Sequence, residues 1–419
     1  MHIALAGPFA TADMAARWGL ASGSLPQGYA GAPLLCDLAD ELLLRGHRLS
    51  LVTLTSDMSL SAPPLVHQHS AQLSITYCPM RPRAWPFNGW RLGRIVDLYA
   101  FERAQLARAL RAAQPDVVHA HWAGEFAWAA QASGLASVLT CHDDPWSVAR
   151  LQRRWRHRGY RWLRALMAGL VLRRALHLSA VSPHLAQVLT QTLAGRMRAS
   201  FTVVPNPLAP QALAMQRQMQ PGQPGQPGRP GRLRVLMVNH GFDALKNVAT
   251  AMLAFEAFAA AHPQAELVLL GHDFAPGGAA QKWWGQRSTR VRFVGAVAHA
   301  DVLAWMARSD VLVHAAVTEA FGMVVAEALA LGLPVVAGAQ SGAVPWVAGG
   351  SAWLVDVQDA QAITQALLQV MQQPLEAQRR ASLGRVSVRE RFGVAQVASA
   401  YEALYRQAMT QAATPAQRR

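Results

Sequence analysis

The sequence is poor in lysine, in cysteine and in acidic residues. Only two of its 39 basic residues, Lys246 and Lys282, are lysines, and 24 acidic residues leave a formal net charge of +15. Such a surplus favours acidic partners such as nucleic acid, anionic lipid headgroups or phosphorylated substrates. The three widely spaced cysteines, Cys36, Cys78 and Cys141, predict no disulfide framework and no cysteine-rich metal site, and they fit a reducing cytoplasm.

Long apolar runs are also missing. The purest are about eight residues, as in "ALMAGLVL", whereas roughly twenty are needed to span a bilayer, so we expect no transmembrane helix. The N-terminal "MHIALAGPFATADMAARWG" lacks a basic region followed by an apolar run, and it is typical of a first strand rather than a signal peptide. Apolar residues make up 52% of the 419 residues, which predicts two domains or one large one.

The clearest seam in the chain is "QPGQPGQPGRPG", residues 220–231. Proline and glycine alternate there with polar residues, so neither helix nor strand can persist. The segment is either a linker between domains or a loop within one domain. On both sides of it short β-rich runs such as "HIALAG" and "LRVLMVNH" alternate with helical segments such as "NVATAMLAFEAFAAAH". This alternation predicts an α/β protein with two parallel, doubly wound sheets.

A carboxylate stands in an apolar setting within "EAFGMVVAE", residues 319–327. If residues 323–332 form a helix, the same-face neighbours of Glu327 are all apolar, and the helix carries no other polar residue. An unpaired buried carboxylate costs several kcal/mol, so Glu327 must meet something polar. The sequence leaves two partners open: a nearby arginine or lysine, or a ligand with paired hydroxyls such as a ribose.

The second acid of this stretch, Glu319, precedes the expected start of the same helix. Backbone N–H groups around Phe321, Gly322 and Met323 would point outward there, and a helix N-terminus is a ready anion site. Acid, amides and acid could therefore hold a sugar, a diphosphate and a ribose in that order.

The stretch "EAFGMVVAEALALGLPVVA" resembles the signature of retaining glycosyltransferases of family 4, which have the GT-B fold. Weaker likenesses follow in the expected order, from "ELLLRGHRLSLVT" through "PDVVHAHW", "VLTCHDDPW" and "TVVPNPL" to "RFGVAQVASAYEALYRQA". The resemblance implies two Rossmann-like doubly wound domains facing across a cleft, with the C-terminal helix crossing back to the first domain. The implied parts are an acceptor-side domain at 1–219, the linker at 220–231, a nucleotide-sugar-binding domain at 232–390 and returning helices at 391–419.

The resemblance also implies roles for single residues. Glu319 would contact hydroxyls of the donor sugar, and His142 would lie beside that sugar; these two are the predicted catalytic residues. The predicted donor-binding residues contact the ribose, the phosphates or the sugar through side chains, backbone amides or a glycine-rich loop: Gly28, Gly31, Lys246, Phe321, Gly322, Met323 and Glu327. A nucleotide-diphosphate sugar is then the co-substrate, and no cofactor is expected.

Two positions depart from the family pattern. The family usually has an arginine five residues before the diphosphate-binding lysine, and Gly241 stands there in "NHGFDALK". A later glutamate of the family is replaced by Trp346 in "SGAVPW", which could stack on a base or an acceptor, or simply pack. These departures affect the expected donor more than the expected reaction.

The implied activity is retaining hexosyl transfer to an acceptor hydroxyl, in the synthesis of a cell-surface polysaccharide or a glycolipid. The sequence has no D-x-D triplet, so no obligatory divalent metal is expected, and no G-x-G-x-x-G, which argues against NAD binding. The alternatives are a GT-B sugar-nucleotide epimerase, a non-catalytic sugar-nucleotide binder, and a nucleic-acid-binding protein suggested by charge alone. No zinc-finger or RNP-like signature supports the last, so no nucleic-acid partner is expected.

The segment 150–174 contains nine arginines, and no acidic residue occurs between Asp144 and Asp243. If the segment is a helix, its apolar side is a stripe formed by Leu151, Trp155, Trp162, Leu166 and Leu170. Arginines beside tryptophans on an amphipathic helix suit an anionic membrane surface. The stripe could equally dock on its own domain. We therefore expect a cytoplasmic enzyme that acts on a saccharide or lipid-linked acceptor. If the segment 150–174 contacts an anionic membrane, the enzyme works at the inner face of that membrane.

Overall fold

The computed structural model describes residues 1–82, 93–151, 155–215, 233–285 and 287–413. The chain divides into two compact units. Unit 1 comprises Met1–Pro207 and Val394–Arg419, and unit 2 comprises Leu208–Gly393. The linker expected at 220–231 lies outside the described residues, and the domain bounds derived from the sequence stay a prediction.

Unit 1 is built on a sheet with eight strands among the described residues. In chain order they are β1 (His2–Ala6), β2 (Arg48–Thr55), β3 (Leu65–Gln68), β4 (Leu73–Pro79), β5 (Val117–His121), β6 (Ser137–Cys141), β7 (Leu178–Ala180) and β8 (Phe201–Val203). The strand order is β3-β4-β2-β1-β5-β6-β7-β8, and only the edge pair β3–β4 is antiparallel. Strand β5 is buried along its length, as expected where helices cover both faces of a parallel sheet.

Helices cover this sheet in the way that the alternating pattern predicts. They are α1 (Thr11–Trp18), α2 (Leu34–Leu44), α3 (Ala100–Ala113), α4 (Glu125–Ser133), α5 (Pro145–Leu151), α6 (Trp155–Leu172) and α7 (Pro183–Leu193). Helix α2 is "LLCDLADELLL", whose buried residues, Leu35 and Leu42 among them, pack into the core of unit 1. It ends just before Gly46, which has a positive φ of 82°.

Unit 2 contains an all-parallel sheet with the order β11-β10-β9-β12-β13-β14 in the described ranges. Its strands are β9 (Leu233–Val238), β10 (Ala265–Leu270), β11 (Val291–Gly295), β12 (Val311–His314), β13 (Val335–Gly338) and β14 (Trp353–Val355). Its helices are α8 (Pro210–Ala214), α9 (Val248–Ala261), α10 (Ala279–Trp284), α11 (His299–Ala307), α12 (Met323–Ala330), α13 (Val344–Ala348), α14 (Ala360–Gln372) and α15 (Pro374–Phe392).

The last helix, α16 (Val394–Ala413), belongs to unit 1. Its Tyr401 and Tyr405 are buried in the core of that unit. Tyr405 also forms a 2.7 Å hydrogen bond between its hydroxyl and His119 Nδ1 of β5. The predicted return of the C-terminal helix to the first domain is therefore confirmed, as is the α/β class with doubly wound sheets. None of the described helices is long and apolar enough to cross a membrane.

Candidate functional site

The predicted site residues form two clusters, one in each unit, and both follow the carboxyl ends of parallel strands. Open α/β sheets bind their ligands at this edge. In unit 2 the cluster follows β9 and β12, and in unit 1 it follows β1, β5 and β6. The two clusters are described separately.

Two predicted residues of unit 2 contact each other. Lys246 Nζ lies 2.6 Å from Glu319 Oε1, although 73 positions separate them in the chain. His314, at the end of β12, brings its Nε2 to 3.4 Å from the same oxygen. Two basic side chains thus meet one carboxylate oxygen where the loop between β12 and α12 begins.

This arrangement keeps Glu319 ionised. Burial alone would raise the pKa of its carboxyl, but the nearby His314 imidazole and the positive charge of Lys246 outweigh burial and lower the pKa to about 2. An ionised carboxylate accepts hydrogen bonds from hydroxyl groups, while Lys246 offers a point charge suited to phosphate.

The buried carboxylate of Glu327 is also partnered. Its Oε1 lies 2.8 Å from Nε2 of His299, the first residue of α11. Only 8% of the Glu327 side chain is exposed, against 46% of the His299 side chain. The polar partner that we expected for Glu327 is therefore a half-exposed histidine, and not an arginine or a lysine.

The backbone between the two glutamates leaves its amides open. Helix α12 begins at Met323, and Gly322 before it adopts a positive φ of 97°. The first N–H groups of a helix have no intrahelical acceptor. Within the described residues, the N–H groups of Phe321, Gly322 and Met323 form no hydrogen bond with the protein. These amides are therefore available to an anionic ligand, as expected from the sequence.

The two departures from the family pattern have structural explanations. Gly241 adopts a positive φ of 116°, and a side chain there would stand 3.4 Å from Asp243 Oδ2 and 3.9 Å from Lys246 Cγ. An arginine at this position would strain the backbone beside the lysine. Trp346 packs rather than stands free: its ring meets those of Phe321 and Phe392 at 6.2 and 5.4 Å.

The cluster of unit 1 is centred on His142, which follows β6. Its Nδ1 lies 3.1 Å from Asn206 Oδ1, and its Nε2 lies 3.0 Å from His121 Nδ1. Trp122, held at a positive φ of 64°, stacks on the imidazole at 4.2 Å. Since Asn206 Oδ1 can only accept, His142 carries its proton on Nδ1 and accepts from His121. A sugar hydroxyl approaching a ring nitrogen would have to replace one of these two partners.

The histidines behind His142 are enclosed and neutral. Burial lowers the pKa of His142 to about 4, against a smaller opposing effect of its hydrogen bond to Asn206. Burial, with repulsion from His142 once that residue is protonated, lowers the pKa of His119 to about 3, and burial also holds the pKa of His121 well below its usual value. The His121 Nε2 atom is buried and has no hydrogen-bond partner in the described part of the chain.

The pKa shifts predict how stability depends on pH. In the unfolded chain a histidine becomes protonated below about pH 6.5. In the folded protein His119 becomes protonated only near pH 3 and His142 only near pH 4. The free energy of unfolding should therefore fall on acidification from pH 7 to 5, by about 2 kcal/mol for each such histidine. In urea denaturation, His142→Asn should lose about 2 kcal/mol less than the parent over this interval. His69→Asn, which removes an exposed histidine of the same unit, is the control; equal losses in the parent and His142→Asn would contradict the assignment.

The glycine loop of unit 1 lies against the end of β1. Gly28 adopts a positive φ of 74°, and a Cβ atom there would stand 2.3 Å from the carbonyl oxygen of Phe9. The following Tyr29 donates its backbone N–H to that oxygen at 2.9 Å. Gly31, at φ 130°, has no atom within 4 Å of where its Cβ would be. The first glycine is thus required by close packing, while the second leaves open space.

Sequence reasoning missed several polar residues at these clusters: His299, His314, His121, Asn206 and Trp122. The one local signal was "HAHW", which places histidine and tryptophan at the end of a buried strand. Among the described residues, no three His, Cys, Asp or Glu side chains come together as a set that could hold a metal ion.

Two protein families match the chain over successive stretches. The family described as Glycosyl transferases group 1 matches residues 222–385, and Glycosyltransferase Family 4 matches residues 33–212. No curated protein sequence matches the chain.

Many solved structures have a similar fold. A sucrose-phosphate synthase from Thermosynechococcus elongatus superposes with a TM-score of 0.70 at 20% identity, covering 98% of this chain and 100% of its own. A structure described as trehalose-6-phosphate from E. coli bound with UDP-2-fluoro glucose gives a TM-score of 0.66 at 12% identity, with 97% of this chain and 99% of the other covered. Anabaena HepE in complex with UDP-glucose gives 0.63 at 17% identity, with 97% and 100% covered.

Proposed function

Because this chain is a glycosyltransferase of the GT-B fold and belongs to family 4, we propose that it moves a hexose from a nucleotide-diphosphate sugar to an acceptor hydroxyl with retention of configuration. The observation that carries the proposal is the set of groups around α12. Open backbone amides and two carboxylates lie within residues 319–327, and Lys246 contacts the first of these carboxylates, so the set matches the parts of such a donor.

Each group of unit 2 suits one part of the donor. Glu327 accepts hydrogen bonds from the ribose hydroxyls, with His299 yielding or sharing the carboxylate. Lys246 and the amides of α12 neutralise the diphosphate, and Glu319 orients the sugar through its hydroxyls. When Lys246 turns to the phosphates, His314 still holds Glu319. The names of the similar structures bound with UDP-glucose and UDP-2-fluoro glucose make UDP-sugars the first donors to test.

The proposed chemistry is a front-face displacement through an oxocarbenium-like transition state. The leaving diphosphate takes the proton of the acceptor hydroxyl, so no protein carboxylate has to act as a nucleophile. Lys246 and the amides stabilise the negative charge that builds on the diphosphate. His142, fixed by His121, Asn206 and Trp122, lies beside the sugar and positions it.

Incubation with a panel of UDP- and GDP-sugars tests this function. Slow release of the nucleoside diphosphate and an α-linked product from an α-linked donor are the expected results. Inversion at C2 of the sugar without transfer would identify an epimerase instead. A panel in which no nucleotide sugar raises the melting temperature or turns over would reject the proposal.

We also propose that the enzyme works at an anionic membrane through α6. Three of the four stripe residues whose side chains the structure describes are exposed: Leu151, Trp162 and Leu166, at 43%, 40% and 53%. The fourth, Leu170, is half-buried. The opposite side of the helix, including Met167, packs into unit 1. Arg158 and Arg161 are exposed beside the stripe. Exposed tryptophan and leucine flanked by arginines suit the headgroup region of an acidic bilayer.

Vesicle co-sedimentation should detect this contact. The parent should pellet with vesicles containing acidic phospholipid at low salt, and much less with neutral vesicles or at high salt. An Arg158→Ser/Arg161→Ser variant should lose about 2 kcal/mol of binding, roughly a thirtyfold drop in partitioning, at about 1 kcal/mol per arginine. A Trp162→Ser/Leu166→Ser variant should also be weakened, because its apolar contact is lost.

The matched control removes the same charge elsewhere in unit 1. Arg196 and Arg198 are exposed just after α7, so an Arg196→Ser/Arg198→Ser variant should bind vesicles nearly as the parent does. A parent that stays in the supernatant with acidic vesicles at low salt would remove the membrane proposal, and a soluble acceptor would replace it.

A further inference from the structure

Arg94 of unit 1 has no part in the function proposed so far. It lies in the connection between β4 and α3, and among the arginines that the structure describes it is the one that is almost fully enclosed, at 3% exposure. Its Nη1 donates to the carbonyl oxygen of Arg81 at 3.2 Å, while its buried Nε has no partner in the described ranges. Arginine stays protonated in proteins, so this is a buried positive charge.

Two neighbouring guanidinium groups, those of Arg81 and Arg164, have carboxylate partners. Arg81 lies 2.8 Å from Asp97 and 2.7 Å from Glu102, and Arg164 pairs with Glu125. No carboxylate lies within ion-pair distance of Arg94 in the described residues, and every one of the 24 acidic residues of the chain falls within those ranges. No acidic side chain of this protein therefore forms a direct ion pair with Arg94.

Aromatic rings offset part of the cost of this burial. The Arg94 guanidinium lies 5.8 Å from the centre of the Tyr29 ring and 5.4 Å from that of Tyr99. Arg164 approaches Tyr99 as well, at 5.3 Å. Cation–π contacts recover only a fraction of what it costs to bury a charge, so the arrangement still favours an anion.

A chain of contacts connects Arg94 with the cluster around His142. Tyr29 belongs to the glycine loop and lies between Gly28 and Gly31. On the other side, Tyr99 leads to Arg164 and through it to Glu125 at the start of α4. The turn before α4 carries Trp122, which stacks on His142. Arg94 therefore belongs to the same carboxyl edge of the sheet as the residue expected beside the reacting sugar.

We infer that Arg94 binds a phosphate group of the acceptor, in a subsite next to Tyr29 and Tyr99. The inference rests on the proposed function for the identity of this ligand as the acceptor. A guanidinium can donate two parallel hydrogen bonds to a phosphate, and phosphate supplies the counter-charge that the side chains lack. Tyr29 is only half-buried and lies over the guanidinium, so its ring is the group that a ligand must displace.

Titration with inorganic phosphate at constant ionic strength tests the subsite. All proteins carry Lys246→Ala, so that phosphate held by the cluster of unit 2 does not contribute. Arg94→Gln should bind phosphate at least tenfold more weakly than this parent. Arg94→Lys should have an intermediate affinity, because lysine keeps the positive charge but cannot donate two parallel hydrogen bonds to the phosphate. Arg103→Gln is the matched control: Arg103 stacks on Trp128 at 3.7 Å and also has an unpartnered Nε, but it is not enclosed. Equal phosphate affinity in Arg94→Gln and the parent would overturn the inference.

A second measurement uses the unaltered protein and does not depend on how the variants fold. Phosphate should slow hydrogen–deuterium exchange in peptides covering residues 27–31 and 94–100. No change in both peptides at saturating phosphate would overturn the subsite. Nucleoside diphosphate affinity should be the same in Arg94→Gln and the parent when Lys246 is present. A matching loss would make Arg94 part of the donor site and overturn the acceptor assignment.

The source of the phosphate is resolved by competition. A hexose 6-phosphate that displaces inorganic phosphate from the parent supports a soluble phosphorylated acceptor, and phosphatidate vesicles that displace it support a lipid-linked one. Displacement by neither would overturn the acceptor assignment. Phosphate binding that depends on Arg94, in a protein that turns over no nucleotide sugar, would count against the proposed function and support the anion subsite alone.

Discussion

A folded Glu327→Ala variant should give no detectable heat when titrated with a nucleoside diphosphate that the parent binds. The carboxylate is the proposed partner of two ribose hydroxyls, and each charge-assisted hydrogen bond is worth about 1.5–3 kcal/mol. Losing both hydrogen bonds weakens binding by roughly 10²–10⁴-fold. A ligand that the parent binds with micromolar affinity is then bound too weakly to be detected by calorimetry.

The contact with His299 provides the control for this experiment. A His299→Asn variant removes the 2.8 Å contact to Glu327 but leaves the carboxylate in place, so it should keep nucleotide affinity within about tenfold of the parent. Equal losses in both variants would mean that the contact with His299, and not a ribose, explains the buried glutamate. The melting temperature of Glu327→Ala should change little, because His299, which loses its partner, is half-exposed and remains hydrated.

Lys246→Ala should weaken diphosphate and donor binding by about 1.5–3 kcal/mol, roughly 10- to 150-fold, and leave the bare nucleoside unaffected. The reason is that the ammonium group supplies a point charge to the diphosphate alone. Calorimetric titration of nucleoside, nucleoside diphosphate and sugar nucleotide separates these contributions.

The chain offers one natural control, its other lysine. Lys282 is exposed on α10, so Lys282→Ala removes the same charge and should bind all three ligands as the parent does. If Lys246→Ala loses nucleoside and diphosphate binding to the same extent, the lysine acts by supporting Glu319 and not by contacting phosphate.

The sequence predicted those parts of the fold and of the site whose interacting residues lie close together in the chain. The E-x7-E stretch was readable because both glutamates and the amides between them belong to one loop and one helix. The helix expected at 323–332 is observed at Met323–Ala330. The alternation of buried strands with helices likewise identified the fold class, because burial on both faces makes each parallel strand a short apolar run.

Partners from distant parts of the chain could not be foreseen. His299 meets Glu327 from another helix, and Asn206 meets His142 across 64 positions. Such pairs depend on how the strands are ordered in the sheet, which spacing does not encode. Arg94 could not be singled out among so many arginines, since its distinction is its enclosure and the lack of a carboxylate partner.

The route of the chain has a practical consequence for engineering. Unit 2 is an insertion within unit 1: the chain leaves after Pro207 and resumes at Val394. The two ends of the insertion lie side by side, because Leu208 N donates to the carbonyl oxygen of Phe392 at 2.8 Å. A chimera that takes this segment from a related enzyme therefore needs two junctions made together, at neighbouring points on the backbone. A single crossover would separate α16, with Tyr401 and Tyr405, from the sheet whose core they complete.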